Sequence, residues 1–148
     1  MKIIAVVPAY NEETRIEATI HDAAPFVSAI VVVDDCSGDT TFVRARAAGA
    51  YLLRHLINRG QGAALQTGMD FAVQQLGADV VVHFDADGQM QGSEIPMMVA
   101  PIVAHEVDVT LGSRFLGKAE NIPLARKLML KAAIVFTFVT SGLWLTDT

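Results

Sequence analysis

The stretch Val80-Val81-Val82-His83-Phe84-Asp85-Ala86-Asp87-Gly88-Gln89 constrains this chain more than any other. Its apolar, β-branched start reads as a strand buried on both faces, as in a parallel sheet with helices on either side. Ligands of parallel sheets bind just beyond the carboxyl ends of the strands, where Asp85 and Asp87 stand. Side-chain oxygens at alternate positions, with the amide of Gln89 one step further, suit a hard divalent cation such as Mg²⁺ or Mn²⁺. Such an ion commonly holds phosphate oxygens as well. The competing reading is a solvated turn in which two aspartates and a glycine end a strand. The decapeptide alone leaves both open.

The rest of the chain repeats the strand-then-helix pattern. Ile3–Val7 reads as a buried strand halted by Pro8, with Asn11 as cap of a helix carrying Ile16, Ile20, Ala23 and Ala24. Ile30–Val33 is a second strand ending in Asp34-Asp35-Cys36-Ser37-Gly38-Asp39. A helix to Ala48 follows, closed by Gly49, and Tyr51–Leu53 is a third strand. The glycine-bearing loop Asn58-Arg59-Gly60-Gln61-Gly62 opens a long helix with an expected apolar stripe of Leu65, Met69, Ala72, Val73 and Leu76. Beyond the organising strand, Ser93 is expected to cap a helix bearing Met98, Val99, Ile102 and Val103, bent at Pro101. Val107–Leu111 reads as a fifth strand leading to Gly112-Ser113-Arg114, and Leu124–Leu145 as one long apolar helix. The pattern predicts an α/β fold with a mostly parallel sheet.

With 148 residues, the chain has room for one domain with a real core, read as spanning 1–148. Its single cysteine, Cys36, excludes an internal disulfide and fits a reducing, cytoplasmic compartment. Lys2 and the short apolar run after it make a poor signal peptide, because Pro8, Asn11, Glu12 and Glu13 interrupt at once. The net charge of −5 is unevenly spread: residues 1–113 hold 6 basic and 14 acidic side chains, and residues 114–148 hold 5 and 2. No basic patch of the size a nucleic-acid partner requires is present. The basic C-terminal part suits a polyanionic small molecule or an anionic membrane surface.

Five motifs, in order, carry a resemblance: Val7-Pro8-Ala9-Tyr10-Asn11-Glu12, Val33-Asp34-Asp35-Cys36-Ser37, Asn58-Arg59-Gly60-Gln61-Gly62, Asp85-Ala86-Asp87-Gly88-Gln89 and Gly112-Ser113-Arg114. Over essentially its whole length the chain resembles glycosyltransferase family 2, and within it the polyprenyl-phosphate sugar transferases of the dolichol-phosphate mannosyltransferase type. The resemblance implies a GT-A fold, a Rossmann-like sheet flanked by helices, and a nucleotide-sugar donor. It assigns Pro8, Ala9, Tyr10, Glu12, Asp34 and Asp35 to the base and ribose. Asp85, Asp87 and Gln89 are assigned to Mg²⁺ or Mn²⁺ on the donor diphosphate. Gly60 and Gly62 would let backbone approach the donor while Arg59 reaches a phosphate; glycine needed only for helix packing is the alternative there. Arg114 and Arg126 are placed on phosphates and complete a catalytic set with Asp87.

The implied reaction moves a sugar from UDP- or GDP-sugar to a polyprenyl phosphate with inversion. The acceptor phosphate is already ionised, so no strong general base is required. A family enzyme with a saccharide hydroxyl acceptor, or a nucleotide-sugar-binding module without turnover, are the competing readings. Cys36 departs from the family's usual glycine; a left-handed backbone there would cost roughly 1 kcal/mol. Asp147 resembles the start of the family's acceptor motif, cut by the chain end, so donor binding with poor transfer is expected. His83 reads as a core residue, while His21, His55 and His105 carry no signal. Lys118, Lys127 and Lys131 read as solvated or membrane-facing. The uncharged run Ala132–Thr146, 15 residues, is short of the roughly 20 that span a bilayer. The expectation is peripheral attachment at the cytoplasmic face of a membrane, one helix face resting at the headgroups. The alternative buries that helix in a further part of the domain or against a second copy of the chain.

Overall fold

The computed structural model describes residues 1–112. Met1–Asp108 form one compact unit. Its elements run β1 (Ile3–Ala9), α1 (Ile16–Ala23), β2 (Ala29–Asp34), α2 (Thr41–Ala47), β3 (Tyr51–Arg54), α3 (Gln61–Gln74), β4 (Val80–His83) and α4 (Ile95–Val103). Short 3₁₀ turns, Ala24–Phe26 and Gly92–Glu94, follow α1 and precede α4.

All strand pairs are parallel, in the order β3-β2-β1-β4. Central β1 pairs Val6 with Val31 on one side and with His83 on the other. Chain order reverses across β1: β2 and β3 build outward one way, β4 the other. That reversal opens a crevice at the carboxyl ends of β1 and β4.

Period-two alternation sorts the core into two layers. Ala5, Val7, Ala9, Ile30 and Val32 pack with Ile16, Ile20 and Ala23 of α1, Ala45 of α2, and Ile95 and Val99 of α4. Ile4, Val6, Val31 and Val33 pack on the opposite face against Ala64 and Ala72 of α3. Fully burying each such valine or isoleucine is worth about 1.5–3 kcal/mol, so the continuous runs of β1 and β2 account for their central positions.

The expected stripe on α3 is displaced. Met69 and Val73 are exposed, and the face on the sheet is Ala64, Gly68 and Ala72. A Cβ at Gly68 would lie 2.4 Å from Val6 Cγ1 and 3.0 Å from Val33 Cγ2. Small residues win this face because β-branched valines already fill the space, so α3 must approach through its least bulky side.

Other expectations also give way. Asn11 does not cap α1, which starts five residues beyond it at Ile16 without a side-chain cap. Asn11 takes φ 55° and turns to the loop after β2. On α1 the buried set is Ile16, Thr19, Ile20 and Ala23, with Ala24 exposed. Ser93 lies inside the 3₁₀ turn and makes no cap; α4 buries Ile95 and Val99 and leaves Val103 exposed. Val107–Leu111 forms no strand in the described residues, and Val107, Val109 and Leu111 are exposed. β4 is therefore an edge among these residues, which explains why Val81 and Val82 are only half-buried. Ser113, Arg114, Arg126, Asp147 and the segment Leu124–Leu145 lie outside the described residues.

Candidate donor-binding site

The crevice is a cleft of about 450 Å³. The end of β1 and its loop supply Pro8, Ala9, Tyr10 and Glu12. The end of β2 supplies Asp35, the loop into α3 Asn58 and Gly60, α3 itself Gln61 and Ala64, and the end of β4 Asp85, Ala86 and Asp87.

The β1 loop is laced to the β2 loop by short side chains. Ser37 Oγ accepts from the Asn11 N–H at 2.9 Å, and Asn11 Oδ1 accepts from the Gly38 N–H at 2.9 Å. Thr41 Oγ1 accepts from the Glu12 N–H at 2.8 Å. Glu13 Oε2 accepts from both the N–H and the hydroxyl of Thr40. Ser, Thr, Asn and Asp bond neighbouring backbone readily, so polar residues crowd these two strand ends. Cys36 takes φ 66°, a left-handed conformation that glycine adopts most readily.

Adjacent residues of a strand point to opposite faces, and this separates Asp34 from Asp35. Asp34 is fully buried on the α2 side. Its Oδ1 accepts from the Ser37 N–H at 3.1 Å, and Arg54 Nε lies 3.0 Å from its Oδ2. That pair is close but poorly aligned, since Oδ2 has no hydrogen bond of good geometry. Asp34 does not line the cleft.

Asp35 turns the other way, into the cleft, and is 3% exposed. It accepts from the N–H of Arg59 at 2.9 and 3.1 Å, from the N–H of Gly60 at 2.7 Å and from His55 Nδ1 at 2.7 Å. Burial pushes its carboxyl up, but the Arg59 N–H, His55 and the Gly60 N–H together outweigh it and hold it below the ordinary carboxylate range. With the Arg59 N–H shared between both oxygens, each oxygen of Asp35 takes two of these bonds. His55 is itself buried, and its Nε2 meets Thr67 Oγ1 of α3 at 3.0 Å. No local pattern marks His55, because both partners are distant in sequence. Gly60 takes φ 87°, and nothing lies within 4 Å of where its Cβ would be. Glycine is therefore needed at this position for conformation, and it leaves backbone open to the cleft.

At the far end, Asp85 Oδ1 accepts from Gln61 Nε2 and meets His83 Nε2, each at 2.8 Å. His83 is exposed at the end of the edge strand, so the core reading fails there. Asp87 is exposed and accepts from the Gln89 N–H at 2.9 Å, a local turn bond. Thr19 Oγ1 of α1 reaches the Ala86 carbonyl at 3.4 Å. Gln89, Gly62 and Arg59 do not line the cleft; Arg59 contributes through its backbone.

Among the described residues no group of three His, Cys, Asp or Glu side chains is placed to hold a metal. Mg²⁺-type sites, however, often use one or two carboxylates and complete the shell with water and substrate phosphates. Asp85 and Asp87, both lining the cleft, fit that arrangement.

Residues 4–144 match the profile described as glycosyl transferase family 2. An uncharacterised protein of Methanocaldococcus jannaschii is 36% identical over 99% of this chain and 61% of its own length. The UDP-N-acetylglucosamine–dolichyl-phosphate N-acetylglucosaminyltransferase of Methanococcus voltae is 30% identical, covering 98% and 65%. The undecaprenyl-phosphate mannosyltransferase of Micrococcus luteus is 32% identical, covering 99% and 63%. The chain thus spans under two thirds of the length of these relatives. Glucosyl-3-phosphoglycerate synthase of Mycobacterium tuberculosis, solved with Mn²⁺, UDP-glucose and phosphoglyceric acid, superimposes with a TM-score of 0.59. It is 29% identical, covering 71% of this chain and 40% of that one. The parallel sheet with its switch-point cleft is the GT-A fold, and the chain belongs to glycosyl transferase family 2.

Proposed function

We propose that this chain is the donor-binding core of a metal-dependent, inverting glycosyltransferase that passes a sugar from UDP- or GDP-sugar to a polyprenyl phosphate. The observation that carries the reading is one cleft with two chemically distinct ends. Asp35, bonded to the Arg59 and Gly60 N–H groups, stands at one, and the carboxylates of Asp85 and Asp87 at the other. Asp35, with the Arg59–Gly60 backbone it fixes, would face the base or ribose, beside Pro8, Ala9, Tyr10 and Glu12. Asp34 would act indirectly, by holding the loop from Ser37 onward.

Asp85 and Asp87 would hold Mg²⁺ or Mn²⁺, which supplies charge neutralisation to a departing diphosphate. The amino end of α3, at Gly60 and Gln61, opens on the cleft and favours the same negative charge. Arg114 and Arg126 would meet phosphates from the part of the chain outside the described residues. The lipid-phosphate acceptor is drawn from the curated relatives, which align over nearly the whole chain. Attachment to a membrane surface through 124–145 remains part of this proposal; no helix among the described residues is long and apolar enough to cross a bilayer. Salt or carbonate should release the protein from membranes, and release by detergent alone would overturn peripheral attachment.

A second reading has its own support. The solved mycobacterial neighbour was crystallised with phosphoglyceric acid, a small soluble molecule. Transfer assays with a polyprenyl phosphate and with small hydroxyl acceptors, on full-length protein, separate the two.

Calorimetry tests the donor site. UDP or GDP should bind at least tenfold more tightly with Mn²⁺ than with chelator, and Asp87→Ala should erase that gain. Equal binding with and without metal would end the metal-dependent reading.

A further inference from the structure

The carboxylate of Asp85 is held unevenly. Gln61 Nε2 and His83 Nε2 both lie 2.8 Å from Oδ1. No hydrogen bond from the described residues reaches Oδ2. A carboxylate oxygen has two lone-pair positions, so two N–H donors occupy Oδ1 fully. The clamp comes from both sides of the crevice. Gln61 is the first residue of α3, and His83 is the last of β4, two residues before Asp85. Gln61 follows Gly60, whose N–H is bonded to Asp35 at 2.7 Å. The reach of the Gln61 amide is therefore set by the same loop that Asp35 anchors.

We propose that Gln61 and His83 are positioning residues for Asp85: by occupying Oδ1 they turn Oδ2 into the oxygen offered to a divalent cation in the cleft. The inference rests on the metal-dependent reading above and deepens it. His83 serves as an N–H donor on Nε2 and not as a ligand, because an imidazole nitrogen carrying a proton has no lone pair for a metal. Groups that orient a first ligand typically change metal affinity 10–100-fold when removed.

Mn²⁺-dependent binding of UDP and GDP by Gln61→Ala, His83→Ala and the double variant, measured by calorimetry, tests the clamp. Both side chains are exposed, so melting temperatures should stay near that of the unaltered protein. Each single variant should need about tenfold more Mn²⁺ for half-maximal enhancement of nucleotide binding. His83→Gln, which keeps an N–H donor of similar reach, should recover most of the loss. The loss in His83→Ala should be of similar size for Mg²⁺ and Mn²⁺. A loss confined to Mn²⁺, the ion more tolerant of nitrogen, would make His83 a ligand and overturn the clamp. Unchanged Mn²⁺ dependence in the double variant overturns it too, leaving the metal reading intact. Metal-independent binding by the unaltered protein removes both together.

Discussion

The two ends of the cleft are built from the same residue type and behave oppositely. At the β2 end, Asp34 and Asp35 are 0% and 3% exposed, and each carboxylate bonds backbone N–H groups. At the β4 end, Asp85 is part-exposed and Asp87 exposed, with one to two side-chain or turn bonds apiece. The difference follows from strand position. β2 lies inside the sheet with helices over both faces, so a charge at its end must be paired or it destabilises the fold. β4 is an edge among the described residues, and charges at its end keep water. One pair shapes the cleft; the other is left with oxygens to offer a ligand.

Removing the carboxylate of Asp35 is the harshest test of this contrast. Asp35→Ala strands the N–H groups of Arg59 and Gly60 and the ring of His55 in a buried place. A loss of about 3 kcal/mol is expected, read from urea unfolding. A loss below about 0.5 kcal/mol would show that the β2 end is as dispensable as the β4 end.

His55 sharpens the same point at a smaller scale. His55→Asn keeps a donor near the Nδ1 position and should cost less than His55→Ala, whose expected loss is about 2 kcal/mol. Equal losses would mean that packing against Thr67, and not the bond to Asp35, is what His55 supplies.

Acid should act next. The carboxyls of Asp35 and Asp39 are lowered in the folded state: desolvation opposes ionisation in both, and hydrogen bonds outweigh it. Their contribution is therefore fully present above the unfolded value of about 3.9 and is lost as pH falls through the folded values below it. Stability measured from pH 6 downward should fall steeply only below about 4, and Asp35→Asn should fall less steeply. Parallel curves would remove Asp35 from the acid response.

Asp87→Ala has the smallest expected effect on the fold, within about 0.5 kcal/mol, despite its expected loss of metal-dependent binding. A destabilisation of 2 kcal/mol or more would make the β4 end structural after all.

Much of this was legible beforehand for physical reasons. Short runs rich in valine and isoleucine favour strands, which holds for β1, β2 and β4. But β1 passes through Pro8 to Ala9 instead of halting there, and β4 is a half-buried edge among the described residues rather than buried on both faces. At Cys36 the condition raised from sequence is met, since its φ of 66° is left-handed. Less legible is Asp34: the motif sets it beside Asp35, but the alternation of β2 sends the two to opposite faces. His55, which carries no sequence signal, is buried and bonded, while His83, which reads as core, is exposed. A histidine's role depends on what lies across the fold, and Asp35 is 20 residues from His55. Gln61 stood within a quoted motif without a role, since only folding brings it to Asp85.

The sequence by itself determined the order of strands and helices, the alternation that splits the core, and the polar chemistry of each strand end. These are local properties, set by side-chain shape, backbone preference and the cost of burying polar groups. Only the tertiary structure decided which carboxylate is buried and which is open. It also decided which face of α3 meets the sheet, where Gly68 leaves room for Val6 and Val33. Those outcomes depend on neighbours dozens of residues away, and competition for the same packed space settles them.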